Sequence, residues 1–374
     1  MKIAIDYFCF LNSSGYSQAA QDTIWALENS RHFDVRVTCL HRTPIKNAFS
    51  RSSLRFFTDL CDKPHSPNAI QVFHCIPEKQ TKFRKLSRAV SFATYETYEP
   101  PVQWISSLNR MDAVICPSNF NYKIFAHAGI KRPLFHIPHG LDTSKWNDSV
   151  IPSSKHNEFT FLFVGTWRKR KGWENLIHAW LQEFSSKDNV KLLIHTDKAE
   201  RASKDISAIK KILGMEKKDT ALIKIEDTVI DDASLPSFFK SFDCLVAPSL
   251  GEGFGLPALQ CMALKVPVIT TNFGGCVDYA SDQTCTLLEP AGFIVHDCMD
   301  NIPQFRNRKW PRITVQSIRD AMRLVFENDS EIKLKAESAY NNVQDNFGNQ
   351  MIVDKFLELM EMVYSVRKTT TQTI

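Results

Sequence analysis

Two stretches of this chain combine residue types that suit anion and sugar chemistry. The first is Ala247-Pro248-Ser249-Leu250-Gly251-Glu252-Gly253-Phe254-Gly255-Leu256-Pro257-Ala258-Leu259-Gln260. It leaves an apolar strand pattern, turns through three glycines and enters a helix with Pro257 expected at its first position. Glycines let a phosphate approach the backbone, and a helix N-terminus offers unpaired N–H groups. Glu252 beside such an anion site needs hydrogen-bond donors of its own, for example sugar hydroxyls. A tight strand-to-helix turn that merely requires glycine is the plainer alternative. A dinucleotide turn is excluded: the glycines run GxGxG, and the next strand ends at Thr271-Asn272 with no acid for a ribose.

The second stretch is Phe163-Val164-Gly165-Thr166-Trp167-Arg168-Lys169-Arg170-Lys171-Gly172-Trp173. Four cations in four positions follow a strand that ends at Gly165. A surface charge run is the usual meaning of such a cluster; at the mouth of a strand it reads as a clamp for a diphosphate. A third stretch, Ser91-Phe92-Ala93-Thr94-Tyr95-Glu96-Thr97-Tyr98-Glu99-Pro100-Pro101, runs off another strand. Glu96 is the candidate there, whereas Glu99, directly before two prolines, reads as a cap for the following helix.

The elements that must position these residues alternate strand and helix almost throughout, which argues for α/β architecture with parallel sheets. At 374 residues the chain is long enough for two domains. Strands are expected at 3–8, 35–40, 70–75, 89–93, 113–117 and 134–137, with helices at 17–28, 101–109 and 119–128. A structureless stretch from about 142 to 158 then separates a second series, with strands at 159–164, 190–194, 222–225, 244–247 and 266–271. Its helices are expected at 173–184, 204–213, 235–242 and 257–263. An amphipathic helix near 351–366 comes last. The domains are accordingly 1–145, joined by a C-terminal helix 350–368 crossing back to it, and 155–346. Two doubly wound sheets would turn their carboxyl ends toward a shared crevice, where ligands of such sheets bind.

Composition narrows the class further. The 43% hydrophobic and 23% charged fractions are those of a folded chain. No apolar run reaches the ~18–20 residues that cross a bilayer, and the opening Met1-Lys2-Ile3-Ala4-Ile5-Asp6 reads as a strand rather than a leader. Ten scattered cysteines without a CxxC pair suit small core residues in a reducing compartment, so a cytoplasmic location is expected. The net charge of +5 is uneven: residues 1–150 hold 18 Lys/Arg against 12 Asp/Glu. The cluster Lys79, Lys82, Arg84, Lys85 and Arg88 reads first as a solvated face. Its sharper reading is contact with an anionic acceptor or with the cytoplasmic face of a membrane. Nucleic acid is not expected, because no recognition motif accompanies the charge.

On these residues the sequence resembles the retaining family 4 glycosyltransferases of the GT-B fold (glycosyl transferases group 1). Pro248-Ser249 through Pro257 follows their P-S-x-x-E-G-F-G-L-P context closely. The resemblance implies a nucleoside-diphosphate-sugar donor, a glycan acceptor and no cofactor. It implies that Glu252 touches the donor sugar within a pocket formed with Gly253, Phe254, Gly255 and Leu256. Gln260 stands where the family's second Glu binds the ribose. Lys171 matches the family's diphosphate-binding Lys. Thr166 replaces the usual Arg after Gly165, so Arg170, or else Arg168, takes that role. The loop Asn12-Ser13-Ser14-Gly15-Tyr16-Ser17-Gln18 matches the family's first glycine loop, placing Gly15 near the donor and Tyr16, Ser17 and Gln18, with Tyr95, on the acceptor side. Glu96 stands where many members carry His. Asp232, within Asp231-Asp232, sits where relatives contact base or ribose; capping of the 235–242 helix is the plainer reading. The resemblance further suggests that Gly274-Gly275 shapes the donor pocket, a plain glycine turn being the alternative. His74 and His139 read as structural residues. No Asp-x-Asp is present, so cations are expected to replace a metal at the diphosphate. The implied reaction is hexosyl transfer with retention. A catalytically silent nucleotide-sugar-binding module and a GT-B epimerase are the alternatives.

Overall fold

The computed structural model describes residues 2–40, 46–80, 88–154, 156–216 and 218–370. The chain divides into two units, 1–143 with 230–233 and 345–374, and 144–229 with 234–344.

The first unit is a six-stranded parallel sheet. Its strands are β1 (Ile3–Cys9), β2 (Phe33–Cys39), β3 (Ile70–His74), β4 (Ala89–Phe92), β5 (Ala113–Cys116) and β6 (Leu134–His136), in the order β2-β1-β3-β4-β5-β6. Both faces are covered, so β3, β4 and β5 are buried along their whole length, as parallel strands between helices must be. The C-terminal helix Asn349–Thr370 belongs to this unit. It places Ile352, Val353, Phe356, Leu359, Met360 and Val363 on one face at helical spacing, each at most 4% exposed, in the same core as Ile5, Ile24 and Phe33. At about 1.5–3 kcal/mol per buried side chain, that stripe returns the chain end to the first sheet. The sequence-based expectation for this helix holds.

The second unit repeats the plan with β7 (Phe159–Val164), β8 (Val190–His195), β9 (Leu222–Glu226), β10 (Cys244–Ala247), β11 (Val268–Thr271) and β12 (Thr286–Leu288), ordered β12-β11-β10-β7-β8-β9 and parallel throughout. Trp180 is fully buried, edge-on to Phe161 and 4.8 Å from Phe184. A two-stranded antiparallel hairpin, β13 (Phe293–Cys298) and β14 (Arg306–Pro311), follows β12. The helices Val315–Glu327 and Asp329–Asn346 complete the unit. This is the GT-B pair of Rossmann-like folds expected from the sequence.

Local corrections concern helix starts. Leu256 rather than Pro257 opens its helix, with Gly255 as the cap and Pro257 second. Glu99 does not cap Val102–Leu108, whose N-cap is Pro101 without a side-chain hydrogen bond. Asp231 and Asp232 do not cap Leu235–Phe239 either; Ser234 holds that position. All ten cysteines are unpaired. No helix among the described residues is long and apolar enough to cross a membrane. Lys82, Arg84 and Lys85 of the basic cluster lie outside the described residues.

Candidate functional site

In the second unit the chain runs β7 to β9 in one direction and then returns to build β10 to β12 on the other side of β7. The reversal lies between β7 and β10. Loops leaving the carboxyl ends of two such strands diverge and leave a crevice, the standard ligand position in open α/β sheets. The basic stretch follows β7 and the glycine-rich stretch follows β10.

The basic stretch forms a short 3-10 turn, Lys169–Lys171, closed by Gly172 at φ 73°. Only glycine fits here: a Cβ would stand 2.0 Å from the carbonyl oxygen of Pro248. This close approach locks the two loops together. The Leu250 amide donates to the Arg170 carbonyl at 2.7 Å, and Arg170 Nη1 donates to the Gly251 carbonyl at 3.0 Å. Stacked Trp167 and Trp173, 4.3 Å apart, frame the turn.

Lys171 Nζ donates to Glu252 Oε1 at 2.5 Å, and Arg170 Nη1 stands 3.6 Å from Glu252 Oε2. Ser249 Oγ adds a hydrogen bond to Glu252 Oε1 at 2.8 Å. The three charged side chains are 14–17% exposed. Burial pushes the Glu252 carboxyl up, but Lys171, Arg170 and Ser249 outweigh it and hold the group below its ordinary value. Glu252 is therefore a carboxylate at neutral pH. Two cations against one carboxylate leave a local positive excess at the strand ends, suited to a diphosphate. Of the two arginines offered by the sequence, Arg170 is the one that reaches this group; Arg168 begins the turn, its carbonyl accepting from the Lys171 amide. The Lys171 stem lies 3.5 Å from where a Cβ on Gly165 would stand.

Gly253, Phe254 and Leu256 are buried. Tyr279 fixes the turn around Gly255, its hydroxyl 3.0 Å and 2.6 Å from the Phe254 and Gly255 carbonyls. The sequence reading missed Ser249 as a partner of Glu252, although it lies inside the motif. It also missed Tyr279, for which local sequence carries no signal. Gln260 is 3% exposed, and its Nε2 has no hydrogen-bond partner among the described residues. A buried amide without a partner is costly unless a ligand group completes it.

In the first unit the reversal lies between β1 and β3, and the helix that follows β1 begins with Gly15 and Tyr16. Gly15 opens the helix Gly15–Glu28 behind the cap Ser14. Tyr16 packs edge-on to His74 at 4.8 Å. His74 stacks on Phe92 at 4.4 Å, and His139 stacks on the same pair. The Tyr7 hydroxyl meets His74 Nδ1 at 2.9 Å. Burial pushes both histidines down, His139 to about 3. Both are neutral structural rings, in line with the sequence reading. Burial raises Tyr16, and the nearby Cys75 and Glu96 add to it, so Tyr16 and Glu96 share one neighbourhood.

Three expectations need correction. Ser17 does not face an acceptor: it is fully buried, and its hydroxyl donates to the Phe10 carbonyl at 2.6 Å while accepting from the Asn12 amide. Tyr95, expected on the acceptor side, is fully buried with its ring edge-on to Trp104, so it packs inside the loop. Asp232 belongs to the first unit, not to the second unit that holds Glu252. Its carboxylate accepts from the Ser50 amide at 2.7 Å and Ser53 Oγ at 2.6 Å, within the first unit. Gln18 remains partly buried, with Nε2 3.4 Å from Asp22 Oδ1.

Comparison with known proteins bears on the unit that holds Glu252. Residues 158–302 match the family described as glycosyl transferases group 1. The capsular polysaccharide biosynthesis glycosyltransferase CapM of Staphylococcus aureus is 31% identical over 155 residues, 41% of this chain and 38% of CapM. The lipopolysaccharide core biosynthesis mannosyltransferase LpsB of Rhizobium meliloti is 27% identical over 177 residues, 45% of this chain and 47% of LpsB. The chain spans about half the length, or less, of the curated relatives it matches. Among solved structures, a glycosyltransferase from Rickettsia africae superposes with a TM-score of 0.65 at 16% identity, covering 97% of this chain and 99% of that one. Anabaena HepE, solved with UDP and glucose, gives 0.65 at 14% identity over 96% and 99%. At such identities these structures speak for the fold.

Proposed function

We propose that this chain is a glycosyltransferase that moves a hexosyl group from a nucleoside-diphosphate sugar to a glycan, or to a lipid- or protein-linked acceptor, with retention of configuration. The observation that carries the reading is the convergence of Lys171 and Arg170 on Glu252 at the chain reversal of the second sheet. In this reading the two cations hold the diphosphate, Glu252 accepts from sugar hydroxyls, and Gln260 meets the ribose. The bond from the anomeric carbon to the leaving phosphate breaks while the acceptor oxygen bonds to the same face. The acceptor's proton passes to the departing phosphate oxygen, whose charge the cations stabilise. That CapM and LpsB are named for glycan biosynthesis supports a glycan acceptor.

A thermal-shift screen of UDP-, GDP- and ADP-hexoses tests the donor side. A donor present at 100 times its Kd adds about 2.7 kcal/mol, which raises Tm by roughly 5–10 °C for a unit of this size. No shift with any of them, together with no nucleoside diphosphate released above background, would overturn the proposal. Binding without turnover would instead favour the silent module.

Three further outcomes follow from the residue roles. Turnover is expected to be independent of divalent cations, because the sequence carries no Asp-x-Asp and the side chains of Arg170 and Lys171 supply positive charge for the diphosphate instead. Activity in excess EDTA should match that with magnesium or manganese within about twofold; loss in EDTA and recovery on adding metal would refute this. Gln260→Glu should keep or improve nucleotide affinity by calorimetry, since a carboxylate accepts hydroxyl hydrogen bonds more strongly than an amide. Glu96→Gln keeps shape and removes charge, so nucleotide binding should stay intact while turnover falls by one to two orders of magnitude, about 1.4–2.8 kcal/mol. Turnover unchanged within about twofold would make Glu96 a structural residue.

A further inference from the structure

The turn that carries Arg170 and Lys171 is held from a third direction that no motif announces. Its N-cap residue, Arg168, makes no side-chain capping bond. The Lys169 amide donates instead to Asp300 Oδ1 at 2.5 Å, across 131 positions of sequence. Asp300 sits in the connection between β13 and β14, within the short turn Met299–Asn301. Its backbone is left-handed, φ 57° and ψ 16°, and Asn301 beside it has φ 56°. Left-handed backbone is unfavourable for residues other than glycine, with Asn and Asp the best tolerated. A strained aspartate whose carboxylate completes the cap of a distant cationic turn needs a reason beyond the hairpin. Its second oxygen, Oδ2, is buried and has no hydrogen-bond partner among the described residues. The neighbouring Met299 is buried, so the connection is anchored in the fold.

We infer that Asp300 is a positioning residue of the Arg170–Lys171 clamp, an inference that rests on reading this clamp as the diphosphate site. Two contacts, Leu250 to the Arg170 carbonyl and Arg170 to the Gly251 carbonyl, tie the turn to the loop of Glu252. Asp300 ties the start of the same turn to the hairpin. With both ends fixed, the two cations keep their places when a diphosphate competes with Glu252 for them. A negative charge at the first amide of the turn also neutralises part of the repulsion among the consecutive cations Lys169, Arg170 and Lys171.

Three variants of the full chain separate this role from a merely structural one. Asp300→Asn keeps an acceptor oxygen and tolerates the left-handed backbone. Asp300→Ala loses the acceptor and keeps the strain. Asp300→Gly loses the acceptor and relieves the strain. Amides 168–172, followed by hydrogen exchange, should exchange about tenfold faster in the Ala and Gly variants, with Asn close to the parent. Affinity for whichever of UDP, GDP or ADP the parent chain binds should fall about five- to tenfold in Ala and Gly, and by no more than about twofold in Asn. The Gly variant should keep its Tm within about 2 °C, because relief of strain offsets the lost bond. Unchanged exchange in both Ala and Gly would overturn the inference. So would unchanged affinity in both, provided Lys171→Ala weakens nucleotide binding in the same assay. If exchange rises as expected and Lys171→Ala also leaves binding untouched, Asp300 holds the turn and the diphosphate reading of the clamp is what fails.

Discussion

Replacing Lys171 by alanine is expected to lower turnover at least about a hundredfold, the loss of one charge contact worth roughly 3 kcal/mol in the transition state. Lys171 is 15% exposed and touches Glu252 at 2.5 Å, so its charge acts where water screens little. As the diphosphate leaves, negative charge grows on the phosphate oxygens, and a fixed ammonium gains more from that growth than from ground-state binding. The loss should therefore fall mainly on kcat, with a smaller rise in KM. Arg170→Ala should be comparable, because its guanidinium is the second cation on the same carboxylate. Stability offers an independent check. Glu252 is held below its ordinary value by these partners, so its contribution to stability is present above the unfolded carboxylate pKa and is lost as pH falls through the lower, folded one. In Lys171→Ala that contribution shrinks, so less stability should be lost between the unfolded and folded values as pH falls, and the acid limb should be shallower. If both variants turn over normally while Arg168→Ala is severe, the clamp has been assigned to the wrong arginine and lysine.

What the sequence could show and what it could not divide along physical lines. Strands such as β3 and β7 are apolar runs bounded by turn residues, and their type was legible, β7 at its observed bounds and β3 with its end shifted by one position. The meeting of Lys171 with Glu252, 81 positions apart, became legible only through the resemblance, because it depends on β7 and β10 lying side by side in the sheet. Burial could not be read at Ser17 or Tyr95. Each follows an exposed-looking loop pattern, and only the packed structure shows the Ser17 hydroxyl closing its own loop on Phe10. Asp232 looked like a cap or a ligand because its neighbours in sequence suggest one. Its actual partners, Ser50 and Ser53, come from the helix Arg51–Asp62 and its cap, which the sequence reading left unassigned. Asp300 lay beyond any local rule, since its role joins a hairpin connection to a turn 131 positions earlier.

The second large effect is expected at Gly275, where alanine should destabilise the second unit by about 3–4 kcal/mol and abolish most donor binding. The sequence left Gly274-Gly275 between a plain turn and a wall of the donor pocket. The structure packs the pair directly on the backbone that carries Glu252. The Gly275 amide donates to the Glu252 carbonyl at 2.8 Å. A Cβ on Gly275 would stand 2.0 Å from the Gly253 carbonyl oxygen and 2.7 Å from Phe254 Cα. Those atoms are backbone, not the far end of a flexible side chain, so relief requires the Glu252 loop itself to move by about an ångström, and a displacement of that size in a positioning loop costs about a hundredfold. Gly274 adds a second constraint, since φ 88° and ψ −152° lie in a region open essentially to glycine alone. Gly15 is the control. A Cβ there meets nothing within 4 Å, so Gly15→Ala should leave Tm within about 2 °C of the parent chain. For Gly275→Ala, a thermal midpoint lower by roughly 10 °C is expected, with the weakened nucleotide affinity persisting at temperatures where the variant is fully folded. Near-normal affinity in the folded variant would mean that the Glu252 loop absorbs the displacement, and that this carboxylate does not need its observed position to hold the donor.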